Sequence, residues 1–197
     1  GATSFVGQIL CQYLFDTYGT DGELKWAAAG RSQDKLEQVK ASLGDAASTL
    51  PLITANANDA DSLDALCAQT RVVVSTVGPY ALYGEPMIKA CVNSGTDYCD
   101  LTGEAQWIAD MLEQYEATAK KNGARIVHCC GFDSIPSDMG VYFLQQQAQA
   151  RFNAPASTVR MRVKVAKGGV SGGTVASMMN IAEEAGKDPA LRKRLAN

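Results

Sequence analysis

Histidine is nearly missing from this chain, with His128 alone among 197 residues. Six cysteines stand at 11, 67, 91, 99, 129 and 130 and form no C-x-x-C pair, so no zinc spacing exists and no metal is expected. Most lie in apolar segments, where a free thiol behaves as a small hydrophobe. That usage fits a reducing cytoplasm better than a disulfide framework. No run approaches the ~18–20 apolar residues of a membrane-spanning helix. Lysine and arginine form no dense stripe, and the net charge is −3, so no nucleic-acid surface is expected. The one basic cluster, Arg192-Lys193-Arg194, falls in a helical stretch and reads as a solvated helix face.

What is present is an ordinary globular balance, 46% hydrophobic and 20% charged, sufficient to bury a core. Phe5, Val6, Ile9, Leu10, Tyr13 and Leu14 recur at helical spacing. An apolar run over 24–29 ends at Gly30-Arg31 and reads as a strand. A helix is predicted over 33–43, with Leu36, Val39 and Leu43 inward, then a strand over 51–55 and a short helix over 62–69. Residues 71–77, RVVVSTV, are β-branched and uninterrupted until Gly78-Pro79, which makes them the clearest strand. A helix follows over 85–93, ended by Gly95, then a strand over 98–101 and a long helix over 105–122 closed by Gly123. A strand over 124–130 and a helix over 137–149 complete the series. Strands that are continuously apolar, rather than alternating, are covered on both faces. The expected fold is therefore α/β, a Rossmann-type doubly wound parallel sheet. Such a fold has a central strand before its glycine turn, and one is expected upstream of Gly1.

Beyond about residue 153 the rhythm changes. Val159, Met161, Val163 and Val165 alternate with Arg160, Arg162 and Lys164, as in a half-exposed strand of an antiparallel sheet. A glycine-rich turn over 168–173 leads to a helix over 174–185, and Asp188-Pro189 starts another. This stretch is too short for a core of its own. The expected division is a nucleotide-binding domain over 1–155 and the beginning of a second, α+β domain for substrate or dimerisation over 156–197.

Glycines at 1 and 7 flank a turn that opens an amphipathic helix. A helix N-terminus offers unpaired N–H groups and a positive dipole end to a pyrophosphate. Gly1 allows a tight turn and Gly7 a close approach of the helix. Ser4 stands where related turns carry a middle glycine; its Cβ crowds a phosphate, or its hydroxyl donates to one. The cofactor-binding set read from this turn is Gly1, Thr3, Ser4, Phe5, Val6 and Gly7. NAD-preferring sites place an acid after the second strand, to hold the ribose 2′-hydroxyl. Here Arg31 and Ser32 occupy that place, with Lys35 a turn later. A cation there suits a 2′-phosphate, so NADP(H) is expected over NAD(H).

GPYALYGEPMIKACVNSGTDYCDLTGE (78–104), GFDSIPSDMG (131–140) and SGGT (171–174) resemble the saccharopine dehydrogenase-like oxidoreductases, including the group called trans-acting enoyl reductases. G-A-T-x-F-V-G at the start is similar as well, Ser4 apart. The resemblance implies a Rossmann domain followed by an α/β domain that covers the nicotinamide and builds the substrate pocket. Thr76, Val77, Gly78 and Pro79, at the carboxyl end of the clearest strand, join the cofactor-binding set, because ligands in open α/β sheets lie at such ends. Tyr80 is either a wall for the nicotinamide or a core tyrosine after a turn. Asp97, Asp100 and Glu104 surround the strand at 98–101. Two carboxylates in a dry pocket would favour one general acid, whereas the alternative is a capped and solvated helix start at Thr102 to Ala105. Asp133 either faces the cleft or lies beside a helix capped by Ser134 or Ser137. Tyr80, Asp100, Glu104 and Asp133 form the candidate catalytic set, and His128 reads as core.

The implied activity is hydride transfer between NADP(H) and a small-molecule substrate with a C=N or C=C bond. Tyr-x-x-x-Lys, the active pair of short-chain dehydrogenases, does not occur. The alternative is a non-catalytic NADP(H) sensor or scaffold, since a fold does not dictate activity. A homodimer is the expected assembly on general grounds.

Overall fold

The computed structural model describes residues 1–165, 167–169 and 171–196. Helix α1 (Phe5–Tyr18) begins behind Ser4, whose hydroxyl accepts the Gly7 amide, and ends at Gly19 with φ 65°. Strand β1 (Ala28–Gly30) leads into α2 (Gln33–Ser42), capped by Ser32, and a 3-10 turn (Asp45–Ala47). Strand β2 (Leu52–Thr54) and α3 (Ala60–Cys67), capped by Asp59, follow. Next come β3 (Val72–Ser75), a single helical turn α4 (Tyr80–Tyr83) and α5 (Glu85–Ser94). Strand β4 (Asp97–Asp100), α6 (Ala105–Asn122) and β5 (Ile126–Val127) complete the βα series. Three helices end the chain: α7 (Ile135–Phe152), α8 (Gly172–Lys187) and α9 (Pro189–Ala196). Gly95 and Gly123 stop α5 and α6 in the left-handed conformation that favours glycine, as the sequence predicts.

All strand pairs among the described residues are parallel. β1 pairs with β2, Ala28 opposite Leu52, and β3, β4 and β5 form a second ladder with Val72 opposite Asp97 and Tyr98 opposite Ile126. No ladder joins the two groups among the described residues. Residues 1 and 2 bridge them at their carboxyl ends: the Ala2 amide donates to Ala29 O (3.0 Å) and the Thr76 hydroxyl to Gly1 O (2.9 Å).

Two apolar clusters hold the layers. Cys11, Leu36, Val39 and Leu50 pack on Ala28, between α1, α2 and β1. Leu63, Ile88, Cys91, Val92, Tyr98 and Trp107 fill the space between the second sheet and α3, α5 and α6, and Ala29 and Ile53 reach this cluster from the other side of the first sheet. The first sheet is therefore covered on both faces. The second is covered on one, since Val73 packs inward while Val72 and Val74 stay about half-exposed. Uninterrupted valines predict cover on both sides, so this uncovered face is a departure from the sequence reading. Helix α7 buries none of its residues, and Tyr142 and Phe143 stand in solvent.

The predicted strand over 158–165 does not form. These residues join no ladder, and Met161, Val163 and Val165 are each more than 60% exposed. An alternating pattern becomes a strand only beside an edge that supplies hydrogen bonds and an apolar face, and no such edge lies against it among the described residues. The predicted glycine-rich turn over 168–173 includes Val170, which lies outside the described residues. The helix after it runs longer than predicted, from Gly172 to Lys187.

Ile88 on α5 is fully buried in the larger cluster. Ile88→Ala should lower unfolding stability by about 2–5 kcal/mol, against under about 1 kcal/mol for the exposed Leu112→Ala, as read by urea denaturation.

Candidate functional site

The glycine turn is packed so closely that no other residue fits at its two ends. A Cβ on Gly1 would stand 2.3 Å from the Thr76 hydroxyl, and one on Gly7 2.1 Å from Gly1 O. Gly7 thus admits the first turn of α1 against the backbone of its own loop. Thr76 gives its single proton to Gly1 O, so in the 3.0 Å contact between the two hydroxyls Ser4 is the donor. Ser4 also accepts the Gly7 amide at 3.0 Å. Its hydroxyl is engaged twice within the turn, as a helix cap and as a tie to β3, and its donor is directed at Thr76. Thr3, Phe5 and Val6 complete the turn, with Phe5 exposed at the start of the helix.

The end of β1 abuts this turn, since a Cβ on Gly30 would lie 3.7 Å from the Thr3 methyl. Arg31 follows directly and is exposed, as is Lys35. Ser32 serves as the cap of α2, its hydroxyl accepting the Lys35 amide. On the far side of Gly1 the loop Thr76-Val77-Gly78-Pro79 continues from β3, with a cis peptide between Gly78 and Pro79. The result is a helix N-terminus bounded by a cationic strand end on one side and the 76–79 loop on the other.

Tyr80 lies in the core. Its hydroxyl donates to Ser75 O at 3.0 Å, its ring meets Trp107 at 5.6 Å, and burial raises its phenol well above the ordinary value. Of the two readings of Tyr80, this geometry matches the core tyrosine.

The three acidic residues around β4 part company. Asp97 stands at the amino end of the strand, where Arg125 donates to it from its guanidinium and its backbone amide. In a parallel sheet that end is opposite the glycine turn, so Asp97 does not join the site. Asp100 and Glu104 do lie at the carboxyl end, and both are buried. Asp100 accepts the Tyr98 hydroxyl (3.0 Å) and the amides of Thr102 (3.1 Å) and Cys129 (3.3 Å), and it meets His128 Nδ1 at 2.7 Å. Cys129 has φ 60° there. Glu104 accepts the Tyr80 amide (2.8 Å), the Ala81 amide (2.9 Å) and the Ser177 hydroxyl (2.8 Å). Helix α6 does begin at Ala105, with Thr102 accepting the Glu104 amide, but this start is neither solvated nor capped by a side chain, since Thr102 and Glu104 are both buried. Asp133 is exposed in the turn before α7. Neither serine caps that helix: Ser134 is αR and makes no capping bond, and Ser137 is directed at the Met161 sulfur.

Three participants escape a reading by spacing. The His128 side chain is 8% exposed, and its partner lies 28 residues away on a neighbouring strand. Trp107 links Tyr80 to His128, its ring tilted 35° to the first and edge-on to the second. Ser177 reaches Glu104 from 73 residues downstream, and only the SGGT resemblance nearby marks its helix.

Parallel strands, a glycine turn at a helix N-terminus and a cation after the next strand define a Rossmann-type dinucleotide-binding domain. The family described as the saccharopine dehydrogenase NADP-binding domain matches residues 1–127, and the chain belongs to that family. The resemblance read from the sequence motifs and the expected preference for NADP(H) both agree with this assignment. A Mycobacterium tuberculosis protein provisionally named a trans-acting enoyl reductase is 43% identical over 197 residues, 100% of this chain and 46% of its own length. A trans-acting enoyl reductase of Mycobacterium leprae is 39% identical over 194 residues, 98% of this chain and 46% of its own. The chain thus spans under half the length of these relatives. The apo saccharopine dehydrogenase (L-Glu forming) of Saccharomyces cerevisiae shares the fold, with TM-score 0.57 and 20% identity over 72% of this chain and 29% of that one. Among the described residues no helix is long and apolar enough to cross a membrane, and no metal-binding cluster occurs.

Gly7→Ala drives a methyl into the Gly1 carbonyl, so α1 must shift away from its turn. The expected outcome is a lower melting temperature and loss of nucleotide binding by calorimetry, with α5 and α6 unchanged in hydrogen exchange. The Asp97 carboxyl is held below its ordinary value by the hydrogen bond from Arg125. A depressed carboxyl contributes stability above its unfolded value and loses it as pH falls through the folded one. Asp97→Asn should therefore melt earlier than wild type at neutral pH, and the gap should narrow below about pH 4.

Proposed function

We propose that the full-length protein is an NADP(H)-dependent oxidoreductase that transfers hydride to or from a small molecule. The carrying observation is the packed glycine turn, with Gly1 and Gly7 too crowded for a side chain, lying beside the exposed Arg31. Gly1 to Gly7 would hold the pyrophosphate at the start of α1, Arg31 with Ser32 and Lys35 the 2′-phosphate, and Thr76 to Pro79 the nicotinamide side. Bound there, the cofactor supplies the hydride, and the protein supplies position and electrostatics. The chain's own part is to fix the 76–79 loop, through Thr76 on Gly1 and Glu104 on the amides that follow Pro79.

Of the two substrate classes open to the sequence, C=C is favoured over C=N, because the relatives at 38–43% identity carry the name enoyl reductase. Asp133, exposed beside the carboxyl end of β5, is the candidate acid of the set that remains open to a substrate. Asp100, Glu104 and Tyr80 would act by holding loops. The nucleotide-binding domain is taken to end near residue 155, after α7, with 156–197 opening a second domain that completes the substrate pocket.

The test is calorimetric titration of the full-length protein with NADPH and NADH, repeated with Arg31→Ala. Loss of a charged contact to the 2′-phosphate should weaken NADPH by about 1.5–3 kcal/mol and leave NADH unchanged. Equal dissociation constants for the two nucleotides in wild type would defeat the NADP(H) assignment. Binding of NADPH without its oxidation by any enoyl or imine substrate would instead favour a sensor or scaffold.

A further inference from the structure

Helix α8 lies against the nucleotide loop, with none of its residues fully buried and Ala176, Ile181 and Ala185 half-buried. The polar contact that reaches across is unusual in quality. The Ser177 hydroxyl donates to Glu104 Oε1 at 2.8 Å, and Glu104 is only 1% exposed. The same oxygen accepts the Tyr80 amide, and the other oxygen accepts that of Ala81, so one carboxylate grips both the start of α4 and the side of α8. Ser177 also stands close to the loop itself, with its Oγ 3.8 Å from where a Cβ on Gly78 would be. In the next helix, Leu191 is buried.

We propose that Glu104 is a positioning residue and that its bond to Ser177 latches α8 onto the Gly78 loop, closing the side of the cleft where the nicotinamide would lie. A buried carboxylate requires donors, and two amides of a short helical turn leave part of its capacity unmet. The serine hydroxyl meets that demand only while α8 is docked. Departure of α8 opens Glu104 to water, which replaces the lost donor, so undocking is reversible and local rather than an unfolding of the core. Glu104 thereby couples two events: the same side chain that sets the loop after Pro79 also senses whether α8 is in place. The closing of the nicotinamide side rests on the proposed function, whereas the latch itself rests only on the contacts just described.

The experiment is hydrogen–deuterium exchange on the full-length protein without nucleotide, comparing wild type, Ser177→Ala and Ser177→Thr. A hydrogen bond to a charged group corresponds to a shift of roughly tenfold to hundredfold in the docked population. Amides of α8 in Ser177→Ala should exchange faster by about tenfold or more, those of α5 should be unchanged, and Ser177→Thr, which keeps the hydroxyl, should restore wild-type protection. Unchanged exchange in α8, equal acceleration in α5 and α8, or failure of threonine to rescue would each overturn the latch. A second arm adds NADPH: wild-type α8 should gain protection and the alanine variant should gain less. Binding of NADPH is read separately by calorimetry, so failure of the cofactor assignment leaves the nucleotide-free comparison decisive on its own.

Discussion

A carboxylate withdrawn from water has to be met by donors, and in this protein that requirement organises the carboxyl end of the sheet. Asp100 and Glu104 are both buried, four residues apart, and the His128 ring faces Asp100. The remaining donors are backbone amides and hydroxyls drawn from β4, α4, α8 and the turns after β4 and β5. Unpaired burial of such groups costs several kcal/mol, so the loops are held where their N–H groups can reach. Asp100 draws in the turns after β4 and β5, and Glu104 draws in the turn after β3 and the side of α8. The two carboxyl groups act as fixed points about which the ends of three strands are arranged.

The glycine turn solves a different problem with the same economy. Its backbone passes so close to Thr76 and to itself that side chains at 1 and 7 are excluded. Ser4, in the place of a third glycine, is accommodated because its hydroxyl caps α1 and bonds Thr76. The turn is thereby locked to β3 by hydrogen bonds as well as by packing. Turn, strand end and following loop form one rigid rim, on which the cationic end of β1 stands open to solvent.

Much of this was legible in the chain. The helices read at 85–93 and 105–122 carry their own stop signals, Gly95 and Gly123. The valine run at 72–74 marks its strand without help from any neighbour. The stretch at 158–165 misled because alternation describes a surface suited to a sheet and does not supply the sheet. For the site, the motifs point to the loops after β3 and β4, and the structure adds where the side chains in those loops lie. Tyr80 and Glu104 share a motif with the loop that bounds the cleft, yet one faces the core and the other the backbone of that loop.

The sequence by itself determined the βα order, the parallel sheet, the glycine turn and the cation that follows β1. Each of these rests on local chemistry: propensity, capping, a steric demand for glycine, a charge at a strand end. Only the tertiary structure decided which acids are buried and what they hold. Asp97 and Asp100 lie three residues apart on one strand, and the strand's length sends the first to the far end and the second into the interior. The partners of Asp100 and Glu104 come from positions 23 to 73 residues away as well as from the next turn, and no spacing rule reaches that far. Burial and donor supply are properties of the assembled layers, which is why the chain names these carboxylates and only the fold shows which groups they bond.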